Sequence, residues 1–355
     1  MKLSHTLGAT SAVFDDPNLV SAGGLVPVLA LAESAGLRDL ADQHLSVPSD
    51  KGANAGLKVA SLVGAMVAGA DSIDDMALLR HGGMGRVFAR AYAPSTLGSF
   101  LRAFTFGHVR QLDAIASRFL IALAGLTRVL GPPAGPAADP AADPAADPAA
   151  DLAAAKNDGA GYTLVDVDDT IIEVHGHAKQ GAGFGYSRVR GLNALLATLA
   201  VPLAGARTAP VIVAQRLRKG AVGSPRGAKR LVSDAVRTAR RLLGKAPLIL
   251  VRIDSAFYGR GPVHAALAGG AAVSVTARMD KAVKKAIAAI DPDAWTSIEY
   301  TDAVFDEATG RWISRAEVAE VPFTAFAAQK KADHVPGRLV IRRIPDFNAG
   351  RNQVV

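Results

Sequence analysis

The sequence predicts an α/β protein that has a helical N-terminal part and a β-rich C-terminal part. Apolar residues recur at helical spacing before residue 131, and strand-like and helix-like segments alternate between residues 161 and 290. Short strands separated by turn residues follow residue 291. The chain has 355 residues, half of them hydrophobic, which is enough for two domains with packed cores.

Residues 1–130 are predicted to form a helical domain. Ser95 and Thr96 are N-cap candidates for one helix, and a second helix is predicted from an apolar face at Leu112, Ile115, Phe119, Leu123 and Leu126. Several short helices joined by Gly-containing turns suit a DNA-binding helix-turn-helix module. The helix count alone does not separate that module from other α-bundles.

Residues 131–160 are predicted to be a linker. Four copies of Pro-Ala-Ala-Asp run from Pro136 to Asp151. A proline at every fourth position blocks helix propagation, and the repeat offers no apolar bulk for a core. We therefore expect this segment to tolerate deletion.

Residues 161–290 are predicted to hold three strands, then a helix and a strand, a second helix and strand, and a final helix. A ribonuclease H-like sheet has this order of elements, so we expect the first part of such a core. The predicted strands are Tyr162–Ile172, Leu192–Val201, Val211–Leu217, Pro247–Ile253 and Ala272–Thr276, and the helices are Ser224–Leu243, Pro262–Ala268 and Asp280–Ile290.

Residues 291–355 are predicted to be an incomplete β-rich insertion. Trp312 is expected in the core of a hairpin, although an exposed tryptophan could also stack at a DNA end. Residues 348–355 add no closing element, so we expect the chain to stop within a domain. The predicted strands are Ile298–Tyr300, Gly310–Ser314, Glu320–Phe326 and Arg338–Ile344.

Basic residues are concentrated in one part of the chain. The formal net charge is +8, yet the stretch from Arg188 to Arg252 holds fourteen Lys or Arg and a single acid, Asp234. Such a block is typical of a surface that binds a polyanion, although a solvated Arg-rich helix face would look the same. The predicted phosphate contacts are Arg188, Arg190, Arg216, Arg218, Lys219, Arg226, Lys229 and Arg230.

Composition and hydropathy exclude other classes. The chain has no cysteine, which excludes disulfides, thiolate metal sites and cysteine nucleophiles. No targeting segment stands out, and no apolar run reaches the roughly 20 residues that span a bilayer. We expect a cytoplasmic, nucleoid-associated protein that does not contact a membrane.

Aspartates lie at the ends of two predicted strands. Side chains alternate along a strand, so Asp166, Asp168 and Thr170 share one face while Asp169 points to the other. Asp254 follows the apolar strand that ends at Ile253. Carboxylates from neighbouring strands suit Mg²⁺ or Mn²⁺, and paired metals promote phosphodiester cleavage. The alternative is that Asp168 only caps a turn and Asp254 only caps the following helix.

The Asp-x-Asp-x-Thr pattern also suits another chemistry. It resembles the nucleophile loop of haloacid dehalogenase-like phosphatases, where Asp166 would be the nucleophile and Asp168 the acid/base. That family needs a downstream lysine and a later pair of acids, whereas the corresponding strand here supplies Asp254 alone. The strand also continues through Ile172 to Val174 instead of leaving the sheet, so this hypothesis ranks second.

Seven segments of the chain resemble bacterial insertion-sequence DDE transposases. The resemblance is to the branch whose ribonuclease H-like core is interrupted by a β-rich insertion, and it covers nearly everything except the Pro-Ala-Ala-Asp repeat. The segments are VDVDDTIIEVHGHAKQGAGFGYSRVRGLNALLA, RIDSAFYG, SVTARMD, ADSIDDMALLRHGGMG with YAPSTLGSFLRAFTFGHVR, and VPFTAF with KKADHVPGRLVIRRIPD.

The resemblance implies Mg²⁺- or Mn²⁺-dependent DNA cleavage and strand transfer. Asp168 would be the first catalytic acid and metal ligand, with Asp169 as its alternative, and Asp254 the second. The family's third acid, a Glu in a Tyr-x-x-Arg-x-x-x-Glu context after the insertion, is absent, because that context does not occur here. The glutamates of the insertion that do not match are Glu299, Glu307, Glu317 and Glu320.

The implied partner is double-stranded DNA, both the terminal repeats of the element and target DNA. Whether the chain forms a homodimer is left open. Because the third acid is missing, a DNA-binding transposase remnant without catalytic activity is the alternative function.

Overall fold

The computed structural model describes residues 16–88, 90–130, 161–176, 178–203, 206–306 and 310–344. The predicted linker, residues 131–160, and the residues after Ile344 lie outside the described residues. The described part is a mixed α/β structure with one sheet of parallel and antiparallel strands, which confirms the predicted class.

The N-terminal part is helical. Its residues bury two apolar clusters, one around Phe100 and Ala41 and the other around Leu97 and Met84. No described helix is both long and apolar enough to cross a membrane. The helices are α1 (Leu25–Ser34), α2 (Leu37–His44), α3 (Ala55–Val67), α4 (Pro94–Arg102) and α5 (Phe106–Leu126), with 3-10 helices at Asp50–Gly52, Asp74–Arg80 and Gly82–Arg86.

The start of α4 differs from the prediction. Ala93 is the N-cap and Pro94 is the first helical residue, so the predicted caps Ser95 and Thr96 lie inside the first turn. Proline suits that first position because its ring presets φ and the N–H that it lacks would have no helical partner. The N-terminus of α5 is instead closed by a capping box between Thr105 and His108.

The central sheet follows the predicted order of elements. Every predicted strand and helix of residues 161–290 is present with shifted ends. The strands are β1 (Thr163–Glu173), β2 (Gly183–Phe184), β3 (Arg190–Ala200), β4 (Pro202–Leu203), β5 (Ala206–Arg207), β6 (Val211–Lys219), β7 (Ile249–Ile253) and β8 (Ala272–Val275), and the helices are α6 (Ala228–Leu243), α7 (Arg260–Ala268) and α8 (Lys281–Ala288). Of these strands, β4 and β5 form a separate two-stranded ribbon.

The strand directions make the sheet mixed. β3 pairs antiparallel with β1 on one side and with β2 and β6 on the other, whereas β7 runs parallel to β1 and β8 parallel to β7. β6 therefore runs in the same direction as β1. The carboxyl ends of β1, β6, β7 and β8 consequently lie along one edge of the sheet.

Helices cover one face of this sheet. Val165 and Val167 of β1, Leu195 of β3 and Val251 of β7 are buried with apolar residues of α6 and α7. The alternate residues of β1 point away from this core, and Asp168 among them is exposed. β1 thus packs one side against the helices and carries Asp166, Asp168 and Thr170 on the other.

The helix α6 begins four residues later than predicted. Gly227 adopts a left-handed backbone, with φ of 85°, and Ala228 is the first helical residue. The preceding residues, from Ser224, form turns. Glycine adopts that backbone without steric cost, and it therefore sets the true start of the helix.

The β-rich segment is a three-stranded antiparallel sheet. Its strands are β9 (Thr296–Asp306), β10 (Arg311–Ala325) and β11 (Val335–Arg343), in the order β11-β10-β9. The two strands predicted at 310–314 and 320–326 are one continuous strand, β10. The expectation for Trp312 is wrong, because its side chain is 70% exposed; its ring forms a T-shaped pair with Phe305, with centroids 5.4 Å apart.

This second sheet contacts the α/β core through the turn that follows β10. Phe326 stacks on Tyr258, with ring centroids 5.3 Å apart, and Arg260 of α7 donates to Asp333 at 2.8 Å. Phe326 has a φ of 60°, a backbone that a bulky residue adopts only when surrounding contacts fix it. The stack on Tyr258 is such a contact.

The longest helix of the N-terminal part joins the core. Leu120 of α5 belongs to the core cluster, and the Ser117 and Thr238 hydroxyls lie 3.0 Å apart. Arg216 of β6 forms ion pairs with Asp113 of α5, at 3.2 Å, and with Asp234 of α6. Its side chain is only 12% exposed, so this arginine connects α5 to the sheet from within.

We predict that Arg216→Met destabilises the protein strongly. The substitution removes the most buried of the cations that Asp113 and Asp234 share, and losing one partner of a buried ion pair costs about 3–5 kcal/mol. Thermal or denaturant unfolding measures this loss. Arg338→Met is the matched control: it breaks the exposed pair with Glu320, which is worth about 1 kcal/mol or less. Equal effects of the two variants would contradict a connecting role for Arg216.

A second prediction concerns pH. Burial raises the pKa of Asp113 to about 6 from 3.8, against the opposing charge of Arg110. The folded state therefore binds this proton more tightly than the unfolded chain, and ionisation of Asp113 removes stability as the pH rises from about 4 to about 6. Asp113→Asn cannot ionise, so its Tm relative to the wild-type Tm should increase across that interval. Parallel Tm profiles for the two proteins would contradict the prediction.

Candidate metal and nucleic-acid site

The register between β1 and β7 brings two predicted acids together. The last two pairs of this parallel ladder are Asp166 with Arg252 and Val167 with Ile253. Asp168 is the next residue of β1, and Asp254 is the first residue after β7, where the backbone is still extended. Paired residues of neighbouring strands point to the same face, so the backbone directs these two carboxylates to one face at the carboxyl edge of the sheet.

Both carboxylates are exposed and each makes a local hydrogen bond. Oδ1 of Asp168 accepts from the amide of Asp169 at 2.7 Å. Oδ1 of Asp254 accepts from the amide of Ala256 at 3.0 Å and so caps the 3-10 helix Ser255–Phe257. Capping and metal binding are compatible, because a carboxylate has a second oxygen that can meet a cation.

Asp169 lies on the other face of β1. Its Oδ2 accepts from Arg218 at 2.7 Å and from the Asn193 amide at 2.5 Å. The side chains of Asp169 and Arg218 are only 15% and 8% exposed. Burial lowers the pKa of Arg218, and the charge of Asp169 opposes that effect. The carboxylate of Asp169 therefore neutralises an internal cation.

Asp166 is held by an ion pair on the same face as Asp168. Arg252 donates to Oδ1 at 2.5 Å and to Oδ2 at 2.7 Å, and hydrogen bonding to Asp166 raises the pKa of Arg252. Both oxygens of Asp166 are thus engaged, and β1 continues as a strand to Glu173. Neither feature suits Asp166 as a nucleophile, which is the role that the phosphatase hypothesis gives it.

The loop that carries Asp254 is held by a residue that the sequence did not single out. Arg278, after β8, donates to the carbonyl oxygens of Ser255 at 3.1 Å and Ala256 at 3.3 Å. These bonds fix the turn that Asp254 caps. Arg278 reaches this turn because β7 and β8 are neighbours in the sheet. The spacing of residues along the chain therefore could not predict its role.

The two acids at this edge have oxygen donors that suit a magnesium ion, but they would supply only part of its ligands. Within the described residues, no group of three or more His, Asp or Glu side chains is arranged to hold a metal. Two carboxylates are nevertheless a usual protein contribution to a Mg²⁺ site, because this ion keeps several waters and also takes substrate phosphate oxygens. The donor chemistry of Asp168 and Asp254 therefore suits Mg²⁺ or Mn²⁺.

Several predicted phosphate contacts lie near the same edge. β6 ends there at Lys219, and α6 starts there after Arg226. The side chains of Lys219, Arg226, Lys229 and Arg230 are exposed. These cations and the two acids are thus at one end of the sheet.

The other predicted contacts divide by burial. Arg216 and Arg218 hold internal carboxylates, as described above. Arg190 is half-buried and donates to the carbonyl oxygens of Val174, at 3.0 Å, and Gly176, at 2.9 Å. Arg188 is exposed in the turn between β2 and β3. The accessible members of the predicted set are therefore Arg188, Lys219, Arg226, Lys229 and Arg230.

We predict that substitution of Asp169 destabilises the protein, whereas substitution of the adjacent Asp168 has almost no effect on stability. Asp169→Asn leaves the buried charge of Arg218 without its counter-ion and should cost about 2–4 kcal/mol. Asp168→Asn changes an exposed side chain and should stay within about 0.5 kcal/mol of the wild type. Unfolding midpoints measured for both variants at neutral pH test this. A destabilised Asp168→Asn beside an unaffected Asp169→Asn would reverse the assignment of the two side chains.

Comparison with known proteins adds no identification. No protein-family model matches the chain, and no curated protein matches it at a significant level.

Proposed function

We propose that the chain is an insertion-sequence transposase that binds double-stranded DNA and cleaves and transfers its strands in a Mg²⁺-dependent reaction. The observation that carries the proposal is the register that directs Asp168 and Asp254 to one face at the carboxyl edge of the sheet. Chemistry in open α/β sheets is commonly placed at that edge. DNA, a homodimer and a nucleoid location remain expectations from the sequence.

The order of elements supports the same proposal. β1, β3 and β6 are antiparallel neighbours, and the parallel strands β7 and β8 follow in chain order with helices between them. This is the succession expected of a ribonuclease H-like core. The β-rich sheet comes after α8, where the resemblance places an insertion.

The residues at the edge have separate roles in this mechanism. Asp168 and Asp254 would hold the metal, and bound Mg²⁺ would polarise the phosphodiester and stabilise its leaving oxygen. Asp168 is favoured over Asp169 because Asp169 is committed to Arg218. Lys219, Arg226 and Lys229 would hold the DNA backbone beside the acids, which sets affinity and carries little sequence information.

A DNA-binding protein without catalytic activity is the second candidate. It is favoured by the absence, within the described residues, of any group of three or more acids or histidines that could hold a metal ion. A metal held by two carboxylates exchanges more readily than one held by three. The two candidates share the DNA-binding surface and differ only in chemistry at the sheet edge.

The deciding experiment is cleavage of a labelled duplex that carries the terminal repeats flanking the gene, with Mg²⁺, with Mn²⁺ and with EDTA. We expect metal-dependent strand cleavage that Asp168→Asn and Asp254→Asn each reduce about 100-fold or more, the scale of losing one group that stabilises a transition state. Asp302→Asn, an exposed acid on β9, is the control and should retain full activity.

A second readout does not depend on activity. Mg²⁺ should raise the Tm of the wild type and of Asp302→Asn, because a ligand that binds only the folded state stabilises it. It should not raise the Tm of Asp168→Asn or Asp254→Asn. DNA binding with neither cleavage nor a rise of Tm in Mg²⁺ would favour the non-catalytic candidate. A chain that neither binds nor cleaves DNA would refute the transposase assignment.

A further inference from the structure

A cleft lined by arginines lies where the N-terminal helices meet the sheet. It is bounded by α5, β6 and α6 and has a volume of about 280 Å³. Two carboxylates, Asp113 and Asp234, also line it. The arginines are Arg110 and Arg118 of α5, Arg216 of β6, and Arg230, Arg237 and Arg241 of α6.

The carboxylates do not balance these cations. Asp234 contacts four of the arginines, among them Arg237 at 2.9 Å, Arg230 at 3.6 Å and Arg110 at 3.9 Å. Asp113 contacts Arg110 and Arg216, so the same two acids are shared by several partners. Arg118 and Arg241 have no ion-pair partner among the described residues. The cleft therefore keeps an excess of positive charge after all internal pairing.

Three of the arginines form an accessible row. Arg230, Arg237 and Arg241 are seven and four residues apart, which places them on one side of α6. Arg230 and Arg237 are 74% and 56% exposed, and Arg241 is also exposed. By contrast, Lys229 lies toward α7, because a Cβ built on Gly261 would be 3.4 Å from the Cβ of Lys229. The row thus shares only Arg230 with the cations at the sheet edge.

We propose that this cleft binds consecutive phosphates of a duplex nucleic-acid backbone. At 1.5 Å per residue, the row from Arg230 to Arg241 extends about 16 Å along α6, a length over which duplex DNA presents several charges. A single small anion would need a compact pocket, whereas these guanidinium groups are spread along an open helix face. The row begins at the end of α6 that is nearest the sheet edge.

This inference rests on the DNA-binding part of the proposed function and is independent of its metal chemistry. The test measures binding of a fluorescent duplex of about 20 base pairs in EDTA, over a series of salt concentrations. The variant is Arg230→Ala/Arg237→Ala/Arg241→Ala. The matched control, Lys281→Ala/Lys284→Ala/Lys285→Ala, removes the same charge from exposed positions of α8.

We expect the arginine variant to bind at least about 10-fold more weakly than the control. Its slope of log affinity against log salt should be shallower by about 2–3, because each lost phosphate contact removes about 0.9 from that slope. The variant Arg230→Lys/Arg237→Lys/Arg241→Lys keeps the charges and should keep most of the slope. Unfolding midpoints of all variants exclude a general loss of structure.

Three outcomes would overturn the inference in distinguishable ways. Equal affinity and slope for the alanine variant and its control would reject the cleft while leaving DNA binding elsewhere intact. A wild-type chain that binds no duplex would reject the proposed function as well. Inorganic phosphate that raises the Tm of the wild type but not of the arginine variant, with duplex binding unaffected, would show a site for a small anion instead.

Discussion

The parallel pairing of β1 with β7 is the constraint on which the candidate site depends. These strands are far apart in the chain, and each begins with three uncharged residues. Because Val165 and Val251 are fully buried beside each other, slipping the register by one residue would move apolar side chains out of the core and acids into it. The same burial therefore also sets where Asp168 and Asp254 follow the ladder, and the ion pair between Asp166 and Arg252 lies two residues before them.

Burial also divides the arginines of the basic block into two groups. Arg216 and Arg218 belong to the basic block of the sequence, yet both lie within the fold and each neutralises acids from other elements. An internal guanidinium needs such partners, since an unpaired buried charge is costly. Arg230 and Arg237 also contact Asp234, but their exposed side chains can exchange that contact for another anion. Charge counted along a sequence cannot separate these groups, because only the packing of α5 and α6 on the sheet determines which arginines reach solvent.

Local patterns predicted the elements well and their ends less well. Alternation in β1 and the apolar run of β7 predicted both strands, and Asp169 contacts Arg218 on the face opposite Asp166, as period two requires.

The misses have local physical reasons. Pro94 started α4 one residue before its predicted cap, and Gly227 delayed α6. Trp312 was expected in a hairpin core, but its side chain is 70% exposed. Arg278, Arg237 and Arg241 were missed because they become neighbours of the acids and of α5 only through tertiary contacts.

Asp234 gives the arginine cleft a property that none of its single contacts has. One carboxylate offers about four lone-pair positions, and four arginines compete for them here. A polyanion that attracts Arg230 and Arg237 withdraws two competitors and leaves Asp234 to Arg110 and Arg216, the residues that join α5 to the sheet. Occupation of the cleft and attachment of the N-terminal helices would then be thermodynamically linked. Such linkage is reciprocal, so any change that tightens the junction between α5 and β6 would raise the affinity for the polyanion by the same factor.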